Sequence, residues 1–210
     1  MMIDLYTWST PNGRKVSIML EETGLPYGVL PIDITKGAQF TPSFTRVNPY
    51  NKIPAIVDHK ESVTLIESGA ILMYLAMKTG KFLSKTNTSN YWEEIQWLMF
   101  QMGNVGPMLG QCHHFAKFNP GKAPYAEERY LEETRRVYGV LEKRLNGRDY
   151  LARDYSVADI ATWPWVSRFE YHRVDLHDFP NVMRWYRHIA ERPAVQRGYK
   201  VPEDLPVPMP

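Results

Sequence analysis

Two regions of different class are written into this chain. The sequence predicts an α/β region of pattern βαβ-ββα over residues 1–81 and an all-α region, a helical bundle, over 91–210. Three observations carry the prediction. Short apolar runs with strand character are confined to the stretch before residue 67. Pro54 stands at the mouth of one of them, where its missing N–H forbids a normal ladder bond. After the polar linker 81–90, apolar residues recur at helical spacing.

The elements follow in order. Residues 3–8 alternate enough to form a strand, and Ser9-Thr10-Pro11-Asn12-Gly13 is a turn rich in helix-capping types. A helix follows with Val16, Met19 and Leu20 on one face, and Arg14, Lys15, Ser17, Glu21 and Glu22 largely off it. Gly24 and Pro26 end it, and Tyr27 to Ile34 reads as a second strand, parallel to the first. The polar segment 36–50 carries one short helix near Pro42 to Arg46. Ile53, Ala55, Ile56 and Val57, then Val63, Leu65 and Ile66, mark two strands joined by Lys60-Glu61-Ser62, and a helix over 67–79 closes at Gly80.

Beyond the linker, Tyr91, Ile95, Leu98 and Met102 mark a helix that Gly103, Gly106-Pro107 and Gly110 are expected to kink or break. Leu131, Thr134, Tyr138, Leu141 and Leu145 mark the next. Ser156-Val-Ala-Asp159 opens a third with a capping-box pattern, and Pro164 inside it should bend it. Val182, Trp185, Tyr186 and Ile189 mark a fourth, ended at Arg192-Pro193, and the proline-rich tail should run extended.

Composition excludes several function classes. At 210 residues, 44% hydrophobic and 23% charged, the chain can bury a real core. A net charge of +2 without a basic block argues against nucleic acid or anionic membrane as partner. The longest strongly apolar run, Ala70 to Met77, falls well short of the about 20 residues of a membrane span. The start reads as a strand rather than a signal peptide. Cys112 is the only cysteine, so an intramolecular disulfide and a Cys₂-type zinc site are excluded, and a cytoplasmic location is expected.

The stretch Lys52 to Gly69 points to a ligand. Glu67-Ser68-Gly69 sits where the last strand becomes a helix, and a hydroxyl and backbone amides at a helix N-terminus suit a carboxylate. The βαβ-ββα unit with a proline opening its third strand is the thioredoxin-like pattern. Redox members carry Cys-x-x-Cys after the first strand; this chain has Ser9-Thr10-Pro11-Asn12 there, so a reactive thiol, if the chemistry uses one, must arrive with the ligand.

Asn51-Lys-Ile-Pro-Ala-Ile-Val-Asp paired with Glu67-Ser-Gly-Ala-Ile-Leu resembles the cytosolic glutathione transferases, as does Ser-Val-Ala-Asp-Ile-Ala later on. Thr10-Pro-Asn-Gly, Gly37-Ala-Gln-Phe40, Gly106-Pro-Met-Leu-Gly-Gln, His113-His-Phe and Glu128-Arg-Tyr are similar to the bacterial Nu-class group, of disulfide-bond reductase type. The resemblance implies glutathione or glutathione disulfide as ligand, a small disulfide or electrophile as second substrate, and a homodimer. It implies that Ile53 exchanges backbone bonds with the cysteinyl unit ahead of a cis proline. Glu67 and Ser68 would hold the γ-glutamyl end, Lys52 and Gln39 would reach the glycyl end, and Arg129 would meet a further carboxylate. Thr10 and Asn12 would stabilise the thiolate at the first helix's positive end.

Each assignment has a plainer rival. Ser9 and Thr10 serve equally as helix caps, and Ser9 competes for the thiol. Lys52 fits a solvated surface charge, and Arg129 an i,i+4 pair with Glu133. His113-His114 cannot share a helix face and lacks a third metal ligand, so a structural or pocket-wall role is expected. Cys112 reads as a small buried hydrophobe. Two functions remain open: a glutathione-dependent disulfide reductase or transferase without metal, and a non-catalytic ligand binder on the same fold.

Overall fold

The computed structural model describes residues 2–210. The first unit carries β1 (Ile3–Thr7), α1 (Pro11–Thr23), β2 (Tyr27–Pro31), α2 (Pro42–Thr45), β3 (Ala55–Asp58), β4 (Val63–Ile66) and α3 (Ser68–Thr79). The strands form one four-stranded mixed sheet in the order β2-β1-β3-β4, with β1 and β2 parallel and the other pairs antiparallel. This is the thioredoxin-like arrangement. On β1 the alternation puts Ile3, Leu5 and Thr7 into the core, while Tyr6 packs on Phe44 of α2 at 5.9 Å between ring centroids. Two strands are shorter than the sequence suggested. β2 stops at Pro31, beside Thr7 where β1 also ends, with Ile32 N donating the last bond to the Thr7 carbonyl at 2.8 Å, and β3 begins only at Ala55, after Pro54.

The second unit is helical: α4 (Ser89–Phe100), α5 (Gly106–Cys112), α6 (Pro124–Arg144), α7 (Val157–Val166) and α8 (Pro180–Ala190). Of the kink or break expected after Met102, the break does not occur. The chain stays helical through two wide π turns, Gln101–Val105 and His113–Phe118, which flank α5. The first of them absorbs the hydrogen bond that Pro107 cannot donate. A Cβ at Gly106 would lie 3.1 Å from Gln101 Nε2, and one at Gly110 would make ordinary contact with the Trp165 ring at 3.4 Å. The capping box at α7 forms as read, with Ser156 and Asp159 exchanging bonds, and Pro164 is accommodated within the helix. No helix among the described residues is long and apolar enough to cross a membrane.

The final helix, α9 (Pro193–Tyr199), belongs to the first unit. The compact units are Met1–Lys81 with Glu191–Val207, and Phe82–Ala190 with Pro208–Pro210. The expected division placed all of 91–210 in the helical region, so residues 191–207 lie on the other side of it. The reason is a dense contact between α9 and α1. The Arg14 guanidinium lies 3.6 Å over the Tyr199 ring while its Nε donates to the Tyr199 carbonyl, and Ser17 Oγ donates to the Gly198 carbonyl at 2.7 Å. Gly198 admits this approach because a Cβ there would sit 2.6 Å from Ile18 Cα.

The same contact corrects the amphipathic reading of α1. Arg14, Lys15 and Ser17, expected off the apolar face, are 0%, 1% and 0% exposed. With α3 and α9 both packed on it, α1 has little face left for solvent. Only its last turns carry surface charge, and there Glu22 and Glu21 pair with Arg192 and Arg197.

Candidate active site

Four segments leave the sheet at the same end. Register sets Thr7 of β1 beside Pro31 of β2, and Tyr6 beside Ala55 of β3, which faces Ile66 of β4. Just beyond those positions lie Trp8–Asn12, Lys52–Pro54 and Glu67–Ser68, with Gln39 further along the segment that follows β2. Strand register alone therefore brings Thr10, Asn12, Ile53, Glu67 and Ser68 to one edge.

Thr10 is the N-cap of α1, in extended conformation, and its Oγ1 accepts from Gly13 N at 3.2 Å. Capping and thiol binding are thus not exclusive at this residue. A hydroxyl oxygen engaged as acceptor still has its own proton to donate to an anion. Asn12 lies two positions into the helix, half-buried, on the first turn where the backbone dipole is positive. Ser9 is half-buried one residue before the cap. Gly13 holds the turn closed: a Cβ there would lie 2.3 Å from the Trp8 carbonyl oxygen and 2.5 Å from Thr7 Oγ1.

The Ile53–Pro54 bond is cis, as the resemblance implied. Ile53 precedes the first ladder position of β3, so its main chain lies at the strand mouth. Asn48, a residue the sequence reading did not single out, shapes that mouth. It is 3% exposed, its Nδ2 donates to the Lys52 carbonyl at 2.7 Å, and its Oδ1 accepts from Tyr50 N at 3.0 Å. Lys52 points outward, with its ammonium 5.7 Å over the Tyr50 ring. Gln39 is half-buried in a short 3-10 turn, and its Oε1 is buried without a hydrogen-bond partner.

Glu67 is the N-cap of α3 at φ 67° and ψ 111°, a left-handed backbone rarely adopted by a side-chain-bearing residue. Such a conformation persists where surrounding structure enforces it, and it is found preferentially at functional sites. It leaves the Glu67 carboxylate exposed while Ser68 turns inward, 4% exposed. Beneath Ser68 lies Lys15, whose Nζ donates to Ser68 Oγ at 3.2 Å. Burial pulls the Lys15 ammonium down to about 7, against the opposing pull of Glu67. An amine, a carboxylate and a peptide main chain each find a matching group on this edge: Glu67, Ser68 with the α3 amides, and Ile53.

Arg129 is exposed on α6 of the helical unit. Glu133, its rival partner, pairs instead with Arg136. His113 takes a structural place. Its Nε2 is 2.8 Å from Nε2 of His172, whose Nδ1 is 2.9 Å from the Tyr138 hydroxyl, and its ring stacks on Trp165. Burial lowers His113 to about 4, with Arg168 adding to the shift, and holds His172 well below its usual range. Cys112 is fully buried, and burial pushes its thiol up. Among the described residues, no cluster of His, Cys, Asp and Glu could hold a metal ion.

A thioredoxin-like unit with a cysteine-free α1 turn and a cis proline, joined to a helical unit, is the arrangement of the glutathione transferases. Family models agree: the glutathione S-transferase N-terminal domain matches residues 1–77 and the C-terminal domain residues 105–193, so the chain belongs to this family. It is 51% identical over 199 residues to the disulfide-bond oxidoreductase YfcG of Escherichia coli, covering 92% of each chain. It is 39% identical to YghU of the same organism, also a disulfide-bond oxidoreductase, covering 93% of this chain and 73% of that one. A glutathione transferase from Burkholderia graminis, solved with two glutathione molecules per subunit, superposes with a TM-score of 0.87 at 47% identity, over 96% of this chain and 88% of that one. One from Pseudomonas putida, solved with one glutathione disulfide per subunit, gives 0.88 at 43% identity, over 96% and 92%.

Proposed function

We propose that this protein is a glutathione-dependent disulfide reductase of the transferase family, with Thr10 and Asn12 as its catalytic residues. The observation that carries the reading is the α1 cap: Thr10 Oγ1 is held by Gly13 N, which orients the hydroxyl at a positive helix end. A glutathione thiol placed over that turn starts near a pKa of about 8.5. A donated hydrogen bond and the helix terminus lower it by about one or two units, at about 1.4 kcal/mol each. The thiolate attacks one sulfur of a disulfide and the other sulfur leaves as thiolate, giving a mixed disulfide. A second glutathione thiolate attacks the glutathione-derived sulfur of that mixed disulfide. Two glutathione molecules are thereby oxidised to one glutathione disulfide, and both substrate sulfurs leave as thiols. No protein cysteine takes part.

Ile53 pairs with the cysteinyl main chain, Glu67 takes the γ-glutamyl amine, and Ser68 takes its carboxylate. Gln39 and Lys52 take the glycyl end, and Arg129 a carboxylate of the second glutathione unit. Support for the reductase reading also comes from the names of the YfcG and YghU relatives and from the glutathione-bound neighbours. Turnover of a model disulfide with glutathione tests it. A purified protein that binds glutathione without turning over any disulfide or electrophile is a ligand carrier instead.

The assembly we propose is a two-fold homodimer. Trp92 and Met99, two turns apart on α4, are 59% and 48% exposed, a large apolar investment for a surface helix. Light scattering at micromolar protein should give twice the chain mass; the mass of one chain refutes it.

A further inference from the structure

The geometry points to Asn48 as a positioning residue whose side-chain amide aims the Ile53 N–H at the cysteinyl carbonyl of the bound tripeptide. The inference rests on the functional reading above and adds to it a residue that acts through another. Asn48 is 3% exposed, and each of its polar groups is engaged. Its N–H donates to the Phe44 carbonyl and its carbonyl accepts from Asn51 N, both at 2.9 Å. Its Oδ1 accepts from Tyr50 N at 3.0 Å, and its Nδ2 donates to the Lys52 carbonyl at 2.7 Å.

The last of these bonds reaches the ligand edge. A trans peptide is planar and sets its N–H opposite its carbonyl. The Lys52 carbonyl and the Ile53 N–H share one such trans peptide. Holding the carbonyl therefore holds the N–H, pointed away from Asn48. The sheet makes no use of that N–H, because the β3 ladder begins at Ala55. The rest of the segment stiffens the grip. Asn51 takes a left-handed φ of 57°, a region asparagine adopts more readily than most residues, and its Oδ1 accepts from Thr45 Oγ1 at 2.8 Å. The bonds to Tyr50 and Asn51 already close the turn after Asn48. The Nδ2 bond goes past that turn, to the peptide that carries the donor. A hydrogen bond made on binding is gained more cheaply when its donor already points at the acceptor, since less freedom is left to lose.

The test uses S-methylglutathione, whose blocked sulfur lets binding alone be read, and an analogue in which a trans alkene replaces the cysteinyl–glycyl amide and so removes the acceptor. Both are titrated calorimetrically into the full chain. At about pH 8, Asn48→Ala should weaken S-methylglutathione by about tenfold and the alkene analogue by less than about twofold. Equal weakening of both ligands, or no weakening, overturns the assignment. Asn48→Asp keeps the size and the acceptor for Tyr50 N, but its ionised form has no proton for the Lys52 carbonyl. It should bind S-methylglutathione as weakly as Asn48→Ala at about pH 8. Toward about pH 5 it should recover relative to the wild type, because burial favours the protonated carboxyl, which donates again. Absence of that recovery overturns the assignment. If Asn48→Ala does not fold, or the wild type does not bind the analogue, the Asn48→Asp profile with S-methylglutathione decides. Wild-type protein that does not bind S-methylglutathione overturns the functional reading and the Asn48 role together. Wild-type binding that both variants leave intact overturns the Asn48 role alone.

Discussion

Helices α1 and α7 both begin on a side-chain hydroxyl, and the residues around each hydroxyl set what the cap can do. At α7, Ser156 and Asp159 are 1% and 0% exposed. The Asp159 carboxylate accepts from Leu151 N at 2.9 Å, Ser156 N at 3.1 Å and Trp185 Nε1 at 2.9 Å. The constellation is closed: its donors and acceptors are spent on one another, and it fixes the fold of the helical unit. At α1 the position of Asp159 is taken by Gly13, so no carboxylate answers the helix end. Thr10 is only half-buried, and in the proposed function this positive end receives the glutathione sulfur. The first-turn acid commits the α7 cap to the fold, whereas the α1 cap, which lacks one, is where the proposed thiol site lies.

Breaking the closed cap should have the largest effect. Asp159→Ala leaves three buried donors without an acceptor and should cost about 3–5 kcal/mol in chemical denaturation. Turnover per folded molecule should hold. A drop in specific activity ahead of the folded fraction would mean that the α7 cap serves the site.

The His113–His172–Tyr138 chain is the second closed constellation, and pH probes it. Burial holds His113 down at about 4, below the ordinary histidine range near 6.5, so the unfolded chain binds more protons between those values. Its contribution is fully present above about pH 6.5 and is lost as pH falls toward about 4, up to about 3 kcal/mol, with His172 acting in the same direction. Thermal melts from pH 7 to 4 should show a smaller acid loss in His113→Phe than in the wild type.

At the open cap the loss should appear in chemistry. Thr10→Ala and Asn12→Ala should each lower disulfide turnover at neutral pH about tenfold and move the pH–rate midpoint up by about one unit. Loss of the Thr10 cap should cost stability by only about 1 kcal/mol, and Thr10→Ser should keep both functions. Turnover unchanged in both alanine variants would transfer the role to Ser9. The smallest effect belongs to Arg129→Gln: a rise of about threefold in glutathione KM, reduced further by salt, because the guanidinium is exposed.

The open cap was far more legible in the sequence than its supports. Thr10 and Asn12 read locally as helix caps and reach the thiol only through the family resemblance, whereas Pro54 and Glu67-Ser68 sit in short turns beside periodic strands and could be read from local pattern. Lys15 could not. By period it falls off the apolar face of α1, a rule that assumes one buried face, and α9 removes the second. Asn48 gave only the weak signal of a polar residue before a proline. His113 was read as structural, but its partner His172 lies 59 residues away and no spacing announces it.

Although α5 and α9 were not read from it, the sequence by itself determined the order of elements up to α3, the cysteine-free turn, the proline at the mouth of β3 and the helix start at Ser68. Each depends on a few neighbouring residues and on the 2.0 and 3.6 residue periods of strand and helix. Tertiary structure alone decided that residues 191–207 return to the first unit, that α1 is buried nearly all round, and that an ammonium lies under Ser68. Those outcomes rest on contacts such as Arg14 with Tyr199, 185 residues apart, whose energy appears only once the chain has closed on itself.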